Sequence, residues 1–512
     1  MTEVKKIYKE IVGIVGEKYV SDQDFMKAAY SRNVDPAFPD RWADLIVRPQ
    51  NTKEISEIVK IANIHNMPIV PRGGGADLVG GSVTDSGILL DLTRMNEIIE
   101  INEKDFYVEV ECGVTWGALL SELYQKGLTT GIVGPGSGFS ATIGGGLSNS
   151  TAGFGSTKYG LITDNCLGVE VVLPNPEGSI IKTGAAANKY AKPFCRYGIA
   201  PDFTGLFMGD VGTMGIKTKA FLRLYPNPPH KILRNYMLKR NDYEKVSELM
   251  YQLQREVRDG IQDLYVNPLV VVRLLSTIAE ERPKKRARLK GPIFLFILEA
   301  PDKRILDVYE EKVHQIMTQD DVARPFEWTE IDKAGPNSEN WEFTLEFPYT
   351  YFNKFVSLAP PKISCTTCHK LPLSVIADRA KKSTKFDAAH KDEFPNQSFS
   401  IFARSIHLLP NGHCVFSGGF NAENIKEERE KAMKIWHRKI RAQVQYGGAH
   451  YWLGEAISQS LVEAGAYSKD FLQFFKDMKK TVDPNYILSP QKFHMINYED
   501  DISKYEKPKE VY

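Results

Sequence analysis

Residues 71–82 read PRGGGADLVGGS, three consecutive glycines directly after the strand-like PIVPR. Glycine adopts positive φ and places no Cβ in the way. Backbone N–H groups in such a run can point into one concavity and hold phosphate oxygens. The pattern recurs as GPGSG (134–138) with TIGGGLSN (142–149), as GFGS (153–156) with Tyr159-Gly160, and as GDVGTMGI (209–216). One such loop reads as a tight turn. Four clusters between residues 71 and 216, each at a strand or helix boundary, read as ligand contacts. They are not a Rossmann fingerprint, which needs one G-x-G-x-x-G between strand and helix and an acidic residue about 20 positions on. Nor is there a Walker A sequence. Separated loops suit a long ligand with a pyrophosphate in its middle, contacted by backbone along its length.

Around these loops the chain alternates strands and helices. NTKEISEIVKIANIHN (51–66) has apolar residues at helical spacing, with Asn51 or Thr52 as N-cap. GILLDL (87–92) and FYVEVECGV (106–114) read as strands, and Gly127 as the C-cap of a helix. YPNPPHK (225–231) reads as a linker. Beyond it, amphipathic helices such as DYEKVSELMYQLQREVRDG (242–260) separate strands such as SFSIFARSIHLL (398–409), which fits a sheet with helices on one face.

The 512 residues are 42% hydrophobic and 25% charged, which excludes a disordered chain and a small disulfide scaffold. Lys+Arg is 65 against Asp+Glu 64, so the net charge of +1 offers no global field for nucleic acid. The basic run Arg282–Lys290 reads as a solvated loop. No stretch has the roughly 18 apolar residues of a membrane helix, and no secretory signal is visible. With six sparse cysteines, a cytoplasmic protein is expected.

PRGGGADLVGG, the GPGSG to GFGSTKYG stretch and GDVGTMGIKTKA together resemble the FAD-binding domain of the vanillyl-alcohol oxidase/p-cresol methylhydroxylase superfamily. That superfamily also holds FAD-linked D-2-hydroxy-acid dehydrogenases and alkyldihydroxyacetonephosphate synthase. The closing Asp483-Pro484-Asn485-Tyr486-Ile487-Leu488-Ser489-Pro490 is similar to the family's D-P-x-x-I-L-x-P. The resemblance implies an α+β, two-domain fold: a discontinuous flavin domain and an antiparallel-sheet cap. It divides the chain into an N-terminal flavin part (1–229), a cap (230–450) and a C-terminal return (451–512). The loop from Pro71 and Arg72 through Gly73, Gly74, Gly75 and Ala76 to Asp77 would cradle the FAD pyrophosphate. Pro135, Gly136, Ser137, Thr142, Gly144, Gly145, Asn149 and Gly153 would line the cofactor's length. Tyr159 and Gly160 would continue that wall, and Gly215 and Ile216 would close over the adenine. Ala76-Asp77 stands where histidine-linked members carry His, and the second loop lacks the Cys of doubly linked ones. Non-covalent FAD is expected, with a link from a cap His or Tyr left open.

Within the cap, Cys365-Thr366-Thr367-Cys368-His369 is a C-x-x-C-H sequence. Read alone it is a haem-attachment motif; in its setting it is a strand near the flavin. Cys365, Cys368 and His369, with Cys414, are weak candidates for a metal or cluster site, lacking clear four-ligand spacing. In Arg404–Cys414 a strand-turn-strand places Ile406 and Leu408 on one face and His407 on the other. His407 and His413 are candidates for base or metal ligand, since imidazole takes protons near neutral pH. Tyr451 is a second candidate base, followed by Trp452 where phenol oxidisers carry Arg. Arg404, or Arg273, could hold a substrate carboxylate. Trp341, Phe347, Tyr349 and Tyr351 would shape the pocket. The activity implied is hydride transfer from a hydroxylated small molecule (alcohol, 2-hydroxy acid or phenol) to flavin, with O2 or a redox partner protein as acceptor, in a homo-oligomer. A synthase-like flavin-adduct enzyme and an electron-transfer subunit are the alternatives.

Overall fold

The computed structural model describes residues 3–31, 41–138, 141–198, 200–266, 291–327, 362–395, 405–451, 453–490 and 492. Arg273, Arg404, Trp452, the run 282–290 and the aromatics of 341–351 lie outside them.

Two small sheets carry the glycine loops. In one, Ile69–Arg72 and Leu45–Val47 flank Ile88–Asp91 in parallel, and Val20–Ser21 adds an antiparallel edge. The short apolar strands are buried along their length, as a two-sided parallel sheet requires. The helix Thr52–Ile64 packs here with Ile55, Ile58, Val59 and Ala62 inward. Its N-cap is Asn51, whose side chain accepts the Glu54 N–H. The other sheet is antiparallel, in the order Ile98–Asn102, Tyr107–Glu111, Ile216–Arg223, Cys166–Val172, Ile180–Lys182.

A third, eight-stranded sheet spans residues 230–450 and is antiparallel throughout. Its alternation is clean. Tyr236, Leu238, Leu264, Val266, Phe294, Phe296, Ile406 and Leu408 face the helices Tyr243–Glu256, Lys303–Thr318 and Ile376–Ala389. Leu233, Met237, Tyr265, Leu295 and Ile297 face the other way and share one core with Val108, Trp116, Ile143 and Phe154 of the N-terminal part. The cap sheet therefore has helices on one side and the N-terminal part on the other.

The C-terminal segment returns to the first sheet. Asp483 explains the closing motif: one carboxylate oxygen accepts the Ile487 N–H (3.0 Å) and the other the Leu488 N–H (2.9 Å). Lys479, 4% exposed, ion-pairs with Asp483 (2.5 Å) and donates to the Thr213 carbonyl (2.7 Å). Ile69 and residues 487–489 exchange backbone bonds, and the Ser489 hydroxyl donates to Gly212.

One short helix, Ser156–Tyr159, ties the cap sheet to the flavin part. Glu299 on the cap strand Ile293–Ala300 is buried and accepts Lys158 (2.9 Å), Lys231 (2.8 Å) and the Tyr159 hydroxyl (2.7 Å). Burial pushes the Glu299 carboxyl up, but the two ammonium groups outweigh it and hold it below the usual carboxylate range. The folded pKa is depressed, so the stabilisation is complete above the ordinary value of about 4.3. It is lost as pH falls from there through the lower folded value. Glu299→Gln leaves Lys231 buried without its carboxylate, which costs about 3–5 kcal/mol. The expected outcome is a lower Tm at neutral pH and a flatter Tm–pH curve on the acid side than in wild type, measured by thermal denaturation.

Candidate active site

The glycine loops and the flavin-facing side of the cap sheet enclose one cleft. Pro71, Arg72, Gly73, Gly74, Gly75, Ala76 and Asp77 line it, as do Pro135, Gly136, Ser137, Thr142, Gly144, Gly145, Asn149 and Gly215. The loop 71–82 folds on its own charges. Asp77 accepts the N–H groups of Val79 (3.1 Å) and Gly81 (2.8 Å) and pairs with the Ser82 hydroxyl. Arg72 donates to the Ser82 carbonyl (3.0 Å) and lies over the Tyr30 ring, and burial pushes its pKa down. Lys217 also lines the cleft, and its charge is matched by buried Asp210 (2.7 Å).

Glycine is required where these segments meet. A Cβ on Gly73 would strike the Thr142 hydroxyl, the group that caps helix Ile143–Ser148 by accepting the Gly145 N–H. A Cβ on Gly144 would lie 2.8 Å from the Cys112 Cβ and 3.1 Å from the Cys112 carbonyl oxygen.

Four residues expected on the cofactor wall, Gly153, Tyr159, Gly160 and Ile216, are not among those lining this cleft. Gly153 bridges Pro135 and is packed against the Gly134 carbonyl. Tyr159 turns to Glu299, and Gly160 ends its helix at φ 80°. Ile216, the first residue of its strand, is buried in the core with Val172, Ile487 and Leu488.

The cap contributes Tyr265, Leu295, Ser405, His407, Val415, Ser417 and Tyr451. His407 Nε2 lies 2.6 Å from Asp263 Oδ1, the carboxylate is fully buried, and the imidazole side chain is 8% exposed. Thr157 of the short helix approaches the same oxygen with its N–H (3.3 Å) and hydroxyl (2.9 Å). That hydroxyl also accepts the Leu264 N–H and reaches the Leu408 carbonyl. The Tyr265 ring stacks on His407 at 4.0 Å and 18°. The Tyr451 hydroxyl accepts the Ala152 N–H. Asp263 and Tyr265 had no local sequence signature.

The remaining candidates do not converge here. His413 is half-buried at the start of its strand, paired with Leu409 and Pro372, and does not line the cleft. Cys365 joins a core with Phe420 and Trp436, Cys368 faces Leu161 and Tyr451, and His369 packs edge-on against His450. Cys414 lies on the helix side of the sheet. Strand alternation sends these side chains apart, so they form no ligand set. Among the described residues no group of three His, Cys, Asp or Glu could hold a metal, and no helix is long and apolar enough to cross a membrane.

Residues 43–184 match the FAD binding domain family. The glycolate oxidase subunit GlcD of Bacillus subtilis is 36% identical over 44% of this chain, a match spanning about half of that relative (46%). A mitochondrial D-lactate dehydrogenase [cytochrome] of Arabidopsis thaliana is 27% identical over 88% of this chain and 73% of its own. p-Cresol methylhydroxylase superposes with a TM-score of 0.78 at 17% identity, covering 98% of this chain and 99% of its own. Residues 43–184 are thus an FAD-binding domain, and the chain as a whole has the fold of p-cresol methylhydroxylase. The cleft fits FAD: its walls come together at positions where only a hydrogen side chain fits, and the cations Arg72 and Lys217 flank backbone loops suited to a pyrophosphate. Gly144→Ala should therefore reduce FAD affinity roughly tenfold, or about 1.4 kcal/mol. The ratio of flavin to protein absorbance after gel filtration measures it, and full retention would count against the cradle.

Proposed function

We propose that this flavoprotein oxidises a hydroxylated small molecule, an alcohol or 2-hydroxy acid, to the corresponding carbonyl compound. The observation that supports the reading is the buried His407–Asp263 pair on the cap face of the same cleft that the glycine loops line. When bound, FAD supplies the acceptor for the hydride from the substrate carbon. The hydroxyl proton goes to His407. With Nε2–H donated to Asp263, Nδ1 is the ring's acceptor, and the carboxylate stabilises the imidazolium that forms. Thr157 keeps Asp263 in place from the flavin side.

Phe154, Leu295 and Val415 exclude water around the polar centre. FAD is non-covalent in this reading, with Ala76 at the first loop where histidine-linked members carry His. The acceptor is O2 or a redox protein, and the D-lactate dehydrogenase relative is itself designated a cytochrome-linked enzyme.

Anaerobic mixing of the FAD-loaded protein with D-2-hydroxy acids, alkylphenols and simple alcohols tests the reading. Bleaching of the oxidised flavin by a hydroxy acid or alcohol is expected. Asp263→Asn should slow that bleaching about 100-fold or more, with FAD retention unchanged. Bleaching by alkylphenols alone would replace the substrate class. No bleaching by any class would favour a synthase-like or electron-transfer-subunit role.

A further inference from the structure

The first glycine loop is gripped from outside the cleft. Lys492, 4% exposed, donates to the carbonyl oxygens of Gly80 (2.6 Å) and Val83 (2.9 Å). Gly80 and Val83 are buried and do not line the cleft, whereas Gly81 and Ser82 between them do. Gly80 takes a φ of 74°, which admits the turn there. The Gly81 N–H, in the same planar peptide unit as the Gly80 carbonyl, donates to Asp77 (2.8 Å). That unit is therefore fixed at both ends.

Lys492 is itself placed by the C-terminal segment. Its N–H donates to the Ser489 carbonyl (3.2 Å), and the Ser489 N–H donates to the Ile69 carbonyl (2.8 Å). The Ile69 N–H donates in turn to the Ile487 carbonyl (2.8 Å). Ile69 begins the strand that leads into the loop. The same short segment thus holds the loop at its entry strand and at its far end, and Gly73–Gly75 lie between the two grips.

A loop fixed at both ends is pre-organised, and pre-organisation strengthens binding by cutting the ordering cost. A buried ammonium stripped of its acceptors is costly. If the far end of the loop moves, Lys492 loses both carbonyls, so the loop and the C-terminal segment shift together.

We propose that Ile487–Ser489 and Lys492 form a latch on the FAD-binding loop, with Lys492 as the positioning residue. FAD binding and docking of the segment then strengthen each other, since coupling between two sites is reciprocal. The proposal rests on the fit of the cleft to FAD and is independent of the oxidation reading.

Hydrogen exchange of the wild-type protein with and without FAD tests the coupling. FAD should slow exchange about tenfold in a peptide covering Ile487–Ser489, as well as in one covering residues 71–83. Protection of 71–83 with no change at Ile487–Ser489 overturns the latch. Protection at neither overturns the cradle and the latch with it. In Lys492→Met, FAD affinity measured by flavin fluorescence should fall about tenfold, and the rise in Tm on adding FAD should shrink. A merely structural lysine would lower the Tm of the FAD-free and FAD-loaded forms alike. That result, with FAD affinity unchanged, overturns the proposal. The exchange measurement decides the matter where the variant does not fold.

Discussion

Four residues, Ser156–Tyr159, join the cap sheet to the part of the molecule that carries the glycine loops. This single helical turn begins after Gly155 at φ 94° and ends at Gly160 at φ 80°. Both values lie in the left-handed region, which lets the chain enter and leave one turn abruptly. Thr157 bonds to Asp263 and, through strand backbone, to the His407 strand, while Lys158 and Tyr159 bond to Glu299. All of these cap groups are buried. A buried charge without its partner is costly, so the cap sheet has one favourable seat. That seat brings His407 to the cleft.

The cleft itself uses little net charge. Arg72 and Lys217 are present but committed to Ser82, Tyr30 and Asp210. Fixed N–H dipoles of the loops are left as the means of contacting phosphate, and they require close backbone approach. This accounts for glycine at 73 and 144, and it agrees with a chain whose total charge is near zero. In the proposed reaction, holding the dinucleotide by backbone would leave the cap's ionisable groups to act on the substrate.

The glycine loops, the helix caps and the alternation that puts His407 opposite Ile406 and Leu408 were legible in sequence because each is a local pattern. The closing Asp483 motif was legible as a pattern, but its cause, two backbone N–H groups and buried Lys479, needed the fold. Asp263 sits in IQDLYV without any signature, 144 positions from His407, and only antiparallel pairing of Ile261–Val266 with Ser405–Leu409 joins them. Ile216 and Gly153 neighbour lining residues in sequence, but one packs in the core and the other against the Gly134 carbonyl. Adjacency is as poor a guide in C-x-x-C-H. Its spacing straddles the end of Lys362–Thr366 and the start of His369–Pro372, two strands of different sheets.

Three groups at the cap face could handle a proton, and their surroundings separate them. Tyr265 is kept protonated by burial and by Asp263, so it serves as a wall. Its stacked face can also support a cation on His407. His407 has the Asp263 carboxylate 2.6 Å from its Nε2. Tyr451 accepts the Ala152 N–H at its oxygen and has the Lys370 ammonium 5.4 Å from its ring centre. In the proposed reaction His407 would take the substrate's hydroxyl proton, with Asp263 behind it. These surroundings are set by Asp263 and Thr157 around His407, and by Ala152 and Lys370 around Tyr451.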